Sequence, residues 1–214
     1  MGNSDRKEKE RELRRNDIID GAERIFFTKG YEKATMDEVA KEAEYSKRTV
    51  YIYFNSKEQI YFEIMIRGYK LLINMVNQSL RKGTINAIEE IRQIAYIIRR
   101  FNIEHPNYFN AIMEYENGEL DFQKGISDQS RDECYALGEQ ILTILVEALK
   151  KGVREKTIRR EVEITKTALI LWACMIGVFN VANKKERYMK QYHNLTSEEL
   201  ISAAFELLIN SIKN

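Results

Sequence analysis

The chain has 214 residues, with 34 Lys and Arg against 33 Asp and Glu, and its net charge of +1 means that affinity for a polyanion has to come from a local cluster. A hydrophobic content of 44% supplies a real core for one or two domains, while one Pro and ten Gly favour helices throughout and few stretches alternate as strands do. Two Cys far apart, without metal-like spacing, fit a reducing cytoplasm better than a disulfide framework, and a charged N-terminus shows no signal peptide.

Residues 1–15 carry six basic and four acidic side chains, with Met1 and Leu13 as their only sizeable apolar groups. Two readings stand: a flexible, solvated extension, or a basic arm that brings Arg11, Arg14 and Arg15 to nucleic-acid phosphates or a minor groove. The first amphipathic helix is expected from Asp17 to Lys29, with Ile18, Ala22, Ile25 and Phe26 inward, Gly30 as its C′ residue and Tyr31 folding back. Thr35 followed by Glu38 is a capping box, so a short helix starts at Met36 with Val39, Ala40 and Ala43 as its small apolar face. Helical character lapses at Glu44-Tyr45, and Ser46 N-caps a second short helix to about Tyr53. This helix carries Lys47, Arg48, Thr49, Tyr51 and Tyr53, and residues 45–57 hold three cations and no acid. Ser56 with Gln59 caps a third, longer helix. Exposed N–H groups at the start of the second helix suit phosphate, and its long donors suit base edges in the major groove. The arrangement is a helix-turn-helix with the second helix as reader.

Within this window Ile25-Phe26-Phe27, Gly30-Tyr31, Thr35, Val39-Ala40, Ala43, Ser46, Thr49-Val50-Tyr51, Tyr53-Phe54 and Ser56-Lys57-Glu58 resemble the N-terminal domain of TetR-type transcriptional repressors, over roughly residues 16–62. The remaining two thirds agree only in length and helical character. Two departures stand out. Glu44 occupies the turn position where the family usually has Gly, and a non-glycine residue at positive φ there costs roughly 1 kcal/mol. Arg48 stands where the family commonly has Gly or another small residue, which puts a long cation on the reading surface.

From Lys57 a long helix is expected to about Arg81, ended by Gly83, with Tyr61, Phe62, Ile60, Ile64, Leu71, Met75 and Val76 in its apolar stripe. Thr84 to Glu104 reads as the next helix, with Ile88, Ile91, Ala95 and Ile98 at core spacing; His105-Pro106 breaks it and starts a short one. Residues 118–127, flanked by Gly118 and Gly125, read as a loop. Ser130 to Lys151 is helical again through Leu137, Ile141, Ile144, Leu145 and Ala148, and Gly152 opens a polar connection through Thr165. Ala168 to Phe179 is twelve uninterrupted apolar residues, too short to span a membrane and expected as a helix buried on most sides. Thr196 and Glu199 cap the final helix, which carries Leu200, Ala203, Ala204, Leu207 and Leu208.

Catalysis has little to stand on: the chain has two His, His105 and His193, no nucleophile elbow and no glycine-rich phosphate loop. His105 reads as an N-cap or a partly buried polar group. The acidic run Glu114, Glu116, Glu119 and Asp121 is either a solvated helix end or a divalent-ion site, and the former is adopted, with no metal and no cofactor. Cys134 and Cys174 read as small core residues or, alternatively, redox sensors. Phe101, Tyr108, Phe109, Met113, Tyr135, Trp172, Met175 and Phe179 are either ordinary core or the lining of an apolar ligand pocket, and the resemblance favours the pocket for the set.

The resulting expectation is an all-α, non-enzymatic chain in three parts: an extension over 1–15, a helix-turn-helix domain over 16–60, and a helical ligand-binding and dimerisation domain over 61–214. The resemblance implies a homodimer through residues 166–185 and 196–212, acting in the cytoplasm without a membrane. It implies binding to a palindromic double-stranded operator and release by a small apolar or amphipathic effector. Lys47, Arg48, Thr49 and Tyr51 are the expected base readers, with Thr35, Ser46, Tyr53 and Lys57 on phosphates. The alternative of a different class is a helical scaffold that touches DNA only non-specifically.

Overall fold

The computed structural model describes residues 3–81, 86–116 and 129–214. Among these the chain forms ten helices: α1 Asn3–Lys29, α2 Met36–Glu42, α3 Lys47–Tyr53, α4 Lys57–Leu80, α5 Ala87–Glu104, α6 Pro106–Glu116, α7 Gln129–Arg154, α8 Ile164–Lys184, α9 Glu186–His193 and α10 Ser197–Ile212. A single isolated antiparallel bridge joins Ile158 to Lys213. The expected helix ends Gly83 and Thr84, the loop at 118–127 and the acidic residues Glu119 and Asp121 lie outside the described residues, as do the side chains of Glu114 and Glu116.

The chain divides into two compact units, Met1–Tyr69 with Asn107–Ala136 and Lys70–Pro106 with Leu137–Asn214. This departs from a simple boundary at residue 60, because α6 packs with the N-terminal helices. In the first unit, a Cβ on Gly68 of α4 would lie 3.1 Å from Tyr108 Cβ and 3.2 Å from Ile112 Cδ1 of α6. The Tyr108 hydroxyl donates to Glu23 Oε1 on α1 at 2.8 Å, and Tyr61 on α4 donates to the Ala111 carbonyl at 3.3 Å. Arg67 on α4 ties the same corner together through Asp20 at 2.6 Å and Glu23 at 3.0 Å. Burial, reinforced by the Glu23 carboxylate, pushes the Tyr108 phenol well above its ordinary pKa, so it stays a hydrogen-bond donor.

α1 begins at Asn3 rather than near Asp17, so the first residues continue the helix as an exposed segment. Charge pairing one turn apart supports it, as in Glu10–Arg14 at 2.5 Å. Of the cations expected in a DNA arm, Arg14 is in that pair. Arg15 is bound to Glu63 at 2.6 Å and lies 5.1 Å from the centroid of the Phe54 ring. The core half of α1 buries Ile18, Ile19, Ala22 and Phe26. Gly30, at φ 86, ends it, and Tyr31 turns back edge-on to Phe26 with centroids 5.6 Å apart.

In the second unit, α10 packs on α8 and α5. α5 is N-capped by Asn86 and buries one broad stripe that includes Ile88, Ile91, Ile94, Ile97, Ile98 and Phe101. His105 is the C-cap of α5, its ring 5.6 Å from that of Phe101, and Pro106 is the first residue of α6 as expected. α7 runs on past Gly152 to Arg154, and Gly152 is needed there: an added Cβ would meet Ile158 Cδ1 at 2.4 Å.

Candidate functional site

The reader is set by local capping chemistry and by close packing on α1. The Thr35 side chain accepts from the Glu38 amide, and the Thr35 amide donates to Glu38 Oε2 at 3.0 Å, which completes the capping box of α2. Hydrogen bonds from Lys29 and then Thr35 hold the Glu38 carboxyl below the usual range, so the box is charged at neutral pH. α1 comes so near the end of α2 that a Cβ on Gly21 would lie 2.9 Å from Ala43 Cβ and 3.0 Å from Ala43 N. Tyr45 donates to Asp17 at 2.9 Å, and Arg24 pairs with Glu42 at 2.5 Å, so both ends of the turn are anchored to α1.

Glu44 sits in that turn at φ 61, the left-handed conformation implied by the glycine of the resembled family. Its side chain is exposed. Glu44→Gly is therefore expected to raise the denaturant midpoint by a gain of about 1 kcal/mol or less, since glycine also loosens the unfolded chain. A midpoint that falls would show that the carboxylate has a stabilising partner.

Ser46 caps α3 by accepting from the Thr49 amide at 3.0 Å, and its hydroxyl shares a 2.8 Å hydrogen bond with Thr49 Oγ1. Val50 is fully buried and Phe54 nearly so, which fixes the rotation of α3 and turns Lys47, Arg48, Tyr51 and Ile52 outward. Lys47 pairs with Asp37 of α2 at 2.7 Å, and that hydrogen bond raises its pKa. Arg48 is exposed and makes no ion pair among the described residues. Thr49 and Tyr53 are half-buried at the edges of this face. Ile52, 68% exposed, was not among the expected readers; only the burial of Val50 reveals which way it faces.

Lys57 departs from its expected phosphate role. Its ammonium donates to the carbonyls of Tyr31 at 2.7 Å, Ala34 at 3.1 Å and Glu32 at 3.3 Å, and lies 4.2 Å from the Tyr31 ring centroid. All three N–H donors are thereby engaged on the turn that leads into α2. Lys57→Met should lower stability by about 1–3 kcal/mol, as expected for charge-assisted hydrogen bonds that leave carbonyls unpaired. An unchanged denaturant midpoint would show that water replaces the ammonium without cost.

The eight expected pocket residues are divided between the two units. Trp172, Met175 and Phe179 line a small apolar cavity of about 40 Å³ in the second unit, with Ile91, Ile98 and Phe205. Phe101 is fully buried beside His105. Tyr108, Phe109 and Met113 belong to the first unit, as does Tyr135, which is 39% exposed. Their shared apolar character gave no sign of which neighbours they would meet.

α8 is buried on one side rather than on most sides. Ala168, Leu171, Met175, Ile176 and Phe179 face inward, whereas Leu169, Ile170, Cys174 and Val181 are exposed. Cys134 is buried, as expected of a core residue; Cys174 is not. α8 is long and apolar enough to cross a membrane by length and composition, but its neighbour α10 continues the bare surface with Leu207, 73% exposed. Together Cys174, Gly177, Val181, Ala204 and Leu207 border an open groove of about 390 Å³.

Residues 18–64 match the bacterial regulatory proteins, tetR family. The chain is 29% identical over 140 residues to the biofilm operon negative transcriptional regulator IcaR of Staphylococcus aureus, covering 64% of this chain and 73% of that protein. It is 37% identical over 76 residues to the transcriptional activator FasR of Mycolicibacterium smegmatis, covering 36% of this chain and 35% of FasR. The fold is similar to that of AibR, solved in complex with isovaleryl coenzyme A and operator DNA, with a TM-score of 0.66, 20% identity, and 92% and 98% of the two chains covered. The helix-turn-helix is thus similar to that of the tetR family over residues 18–64, and the chain as a whole shares the fold of AibR.

Proposed function

We propose that the chain is a homodimeric repressor, working in the cytoplasm, which holds a palindromic operator through two copies of α3 and leaves it when a small apolar or amphipathic effector binds. The observation that carries this reading is the outward face of α3, where Arg48, Tyr51 and Ile52 are exposed on a helix locked by Val50 and Phe54. Two-fold pairing is supported by the bare apolar surface of α8 and α10 within residues 166–185 and 196–212. A dimer spaces its reader helices about 34–36 Å apart, one turn of DNA, and so reads two half-sites. Repression follows the negative regulator IcaR, and an amphipathic effector follows AibR.

The cavity of about 40 Å³ around Trp172 is far smaller than an effector of this kind, so an effector taken up there selects a conformation in which the surrounding helices part. α4 contributes Lys57–Tyr69 to the first unit and continues from Lys70 in the second, and α7 likewise runs from Ala136 into Leu137, so both helices are continuous covalent routes between the units. A coupling of about 2–3 kcal/mol weakens operator binding roughly 30- to 150-fold, and the operator must weaken the effector by the same factor. The test is to select duplexes from a random pool, confirm a palindromic footprint, and titrate apolar ligands against the dimer with and without that duplex. Ligand affinities that are identical in the two titrations would sever the pocket from the DNA site. A pool from which nothing is enriched would leave only non-specific contact.

A further inference from the structure

Arg48, Tyr51 and Ile52 stand at i, i+3 and i+4 of α3 and share one stripe of the helix surface. Ile52 is 68% exposed there and Tyr51 is 45% exposed, while Val50 and Phe54 close the core beneath them. A bare aliphatic side chain at this position adds nothing to the packing of the protomer. The major groove offers one apolar group that matches it, the C5 methyl of thymine. We infer that Ile52 is a specificity-determining residue that packs against a thymine methyl in each half-site, an inference that rests on the operator-binding reading above.

The helix geometry also places that thymine. Four residues separate Arg48 from Ile52, about 6 Å along the helix axis at ~1.5 Å per residue. A separation of this size keeps the two side chains on neighbouring base pairs of one half-site, whatever the tilt of α3 in the groove. On this inference the half-site carries a thymine read by Ile52 close to the base pair addressed by Arg48. Tyr51, between them on the same stripe, carries both a ring and a hydroxyl and discriminates less sharply.

Replacing thymine by deoxyuridine removes the methyl and leaves every hydrogen-bonding group in place. Duplexes enriched by the full-length protein from a random pool are remade with deoxyuridine at each thymine in turn, and bound to wild type and to Ile52→Ala. At one thymine per half-site, deoxyuridine should weaken wild type about fourfold, the effect of one methyl group losing its apolar contact. Ile52→Ala should bind the thymine duplex more weakly and no longer distinguish thymine from deoxyuridine there. Its thermal midpoint should match wild type, since the side chain is exposed. Enriched duplexes with no methyl-sensitive position, or with the same sensitivity in Ile52→Ala, overturn the role of Ile52 and leave operator binding intact. A pool that yields no enriched sequence overturns operator binding and this inference with it.

Discussion

Leu207→Glu is expected to turn the dimer into monomers at micromolar concentration and to lower operator affinity by at least about a hundredfold. Leu207 is 73% exposed in the protomer, so the new carboxylate stays in water while the chain is alone and leaves the fold intact. In a two-fold interface each copy would bury its own carboxylate against an apolar groove, and a buried unpaired charge costs several kcal/mol. Without the dimer, a single reader helix spans too few base pairs to hold an operator tightly. Sedimentation, circular dichroism and operator titration separate the three effects. Wild-type protein that sediments as a monomer and still footprints a palindrome would remove the basis for the prediction, whereas a mutant that unfolds would place Leu207 in the protomer core.

Arg48→Ala should cost about 1–3 kcal/mol at particular base positions and relax sequence preference there, because a guanine edge loses its two donors. The structure sharpens the expectation by contrast with its neighbour. Lys47 is held by Asp37 at 2.7 Å and must leave that carboxylate to touch DNA, whereas the Arg48 guanidinium has no such competitor among the described residues. Lys47→Ala should accordingly have a smaller effect, spread evenly across sequences. Selection of duplexes with each variant gives both affinity and preference. If Arg48→Ala leaves both unchanged, α3 does not read bases through this residue.

What was legible in the sequence was local. Thr35 with Glu38 and Thr196 with Glu199 form the reciprocal caps that their spacing announces. The turn at Glu44 has the positive φ that the resembled glycine required. Ser56 and Gln59 cap α4 in a shifted form, with Gln59 Oε1 accepting from the Asn55 amide rather than that of Ser56. Less legible was anything set by distant partners. Lys57 looks like a phosphate contact because its charge is visible in the chain, but the carbonyls that capture it belong to Tyr31, Glu32 and Ala34. The early start of α1 escaped notice because its first turns are held by paired charges and show no apolar periodicity. The short α9 was missed for a related reason, with Met189 its only buried residue. The pocket residues could be named singly but not assembled, because periodicity says which face is apolar and not which helix it will meet.

The grip of Lys57 has a kinematic consequence. Its ammonium is rooted in the first turn of α4 and holds the carbonyls of the segment that ends at Thr35, where α2 begins. The first turn of α4 and the entry to α2 therefore move as one block. A rotation of that first turn would be carried to the leading end of the helix-turn-helix through these three hydrogen bonds.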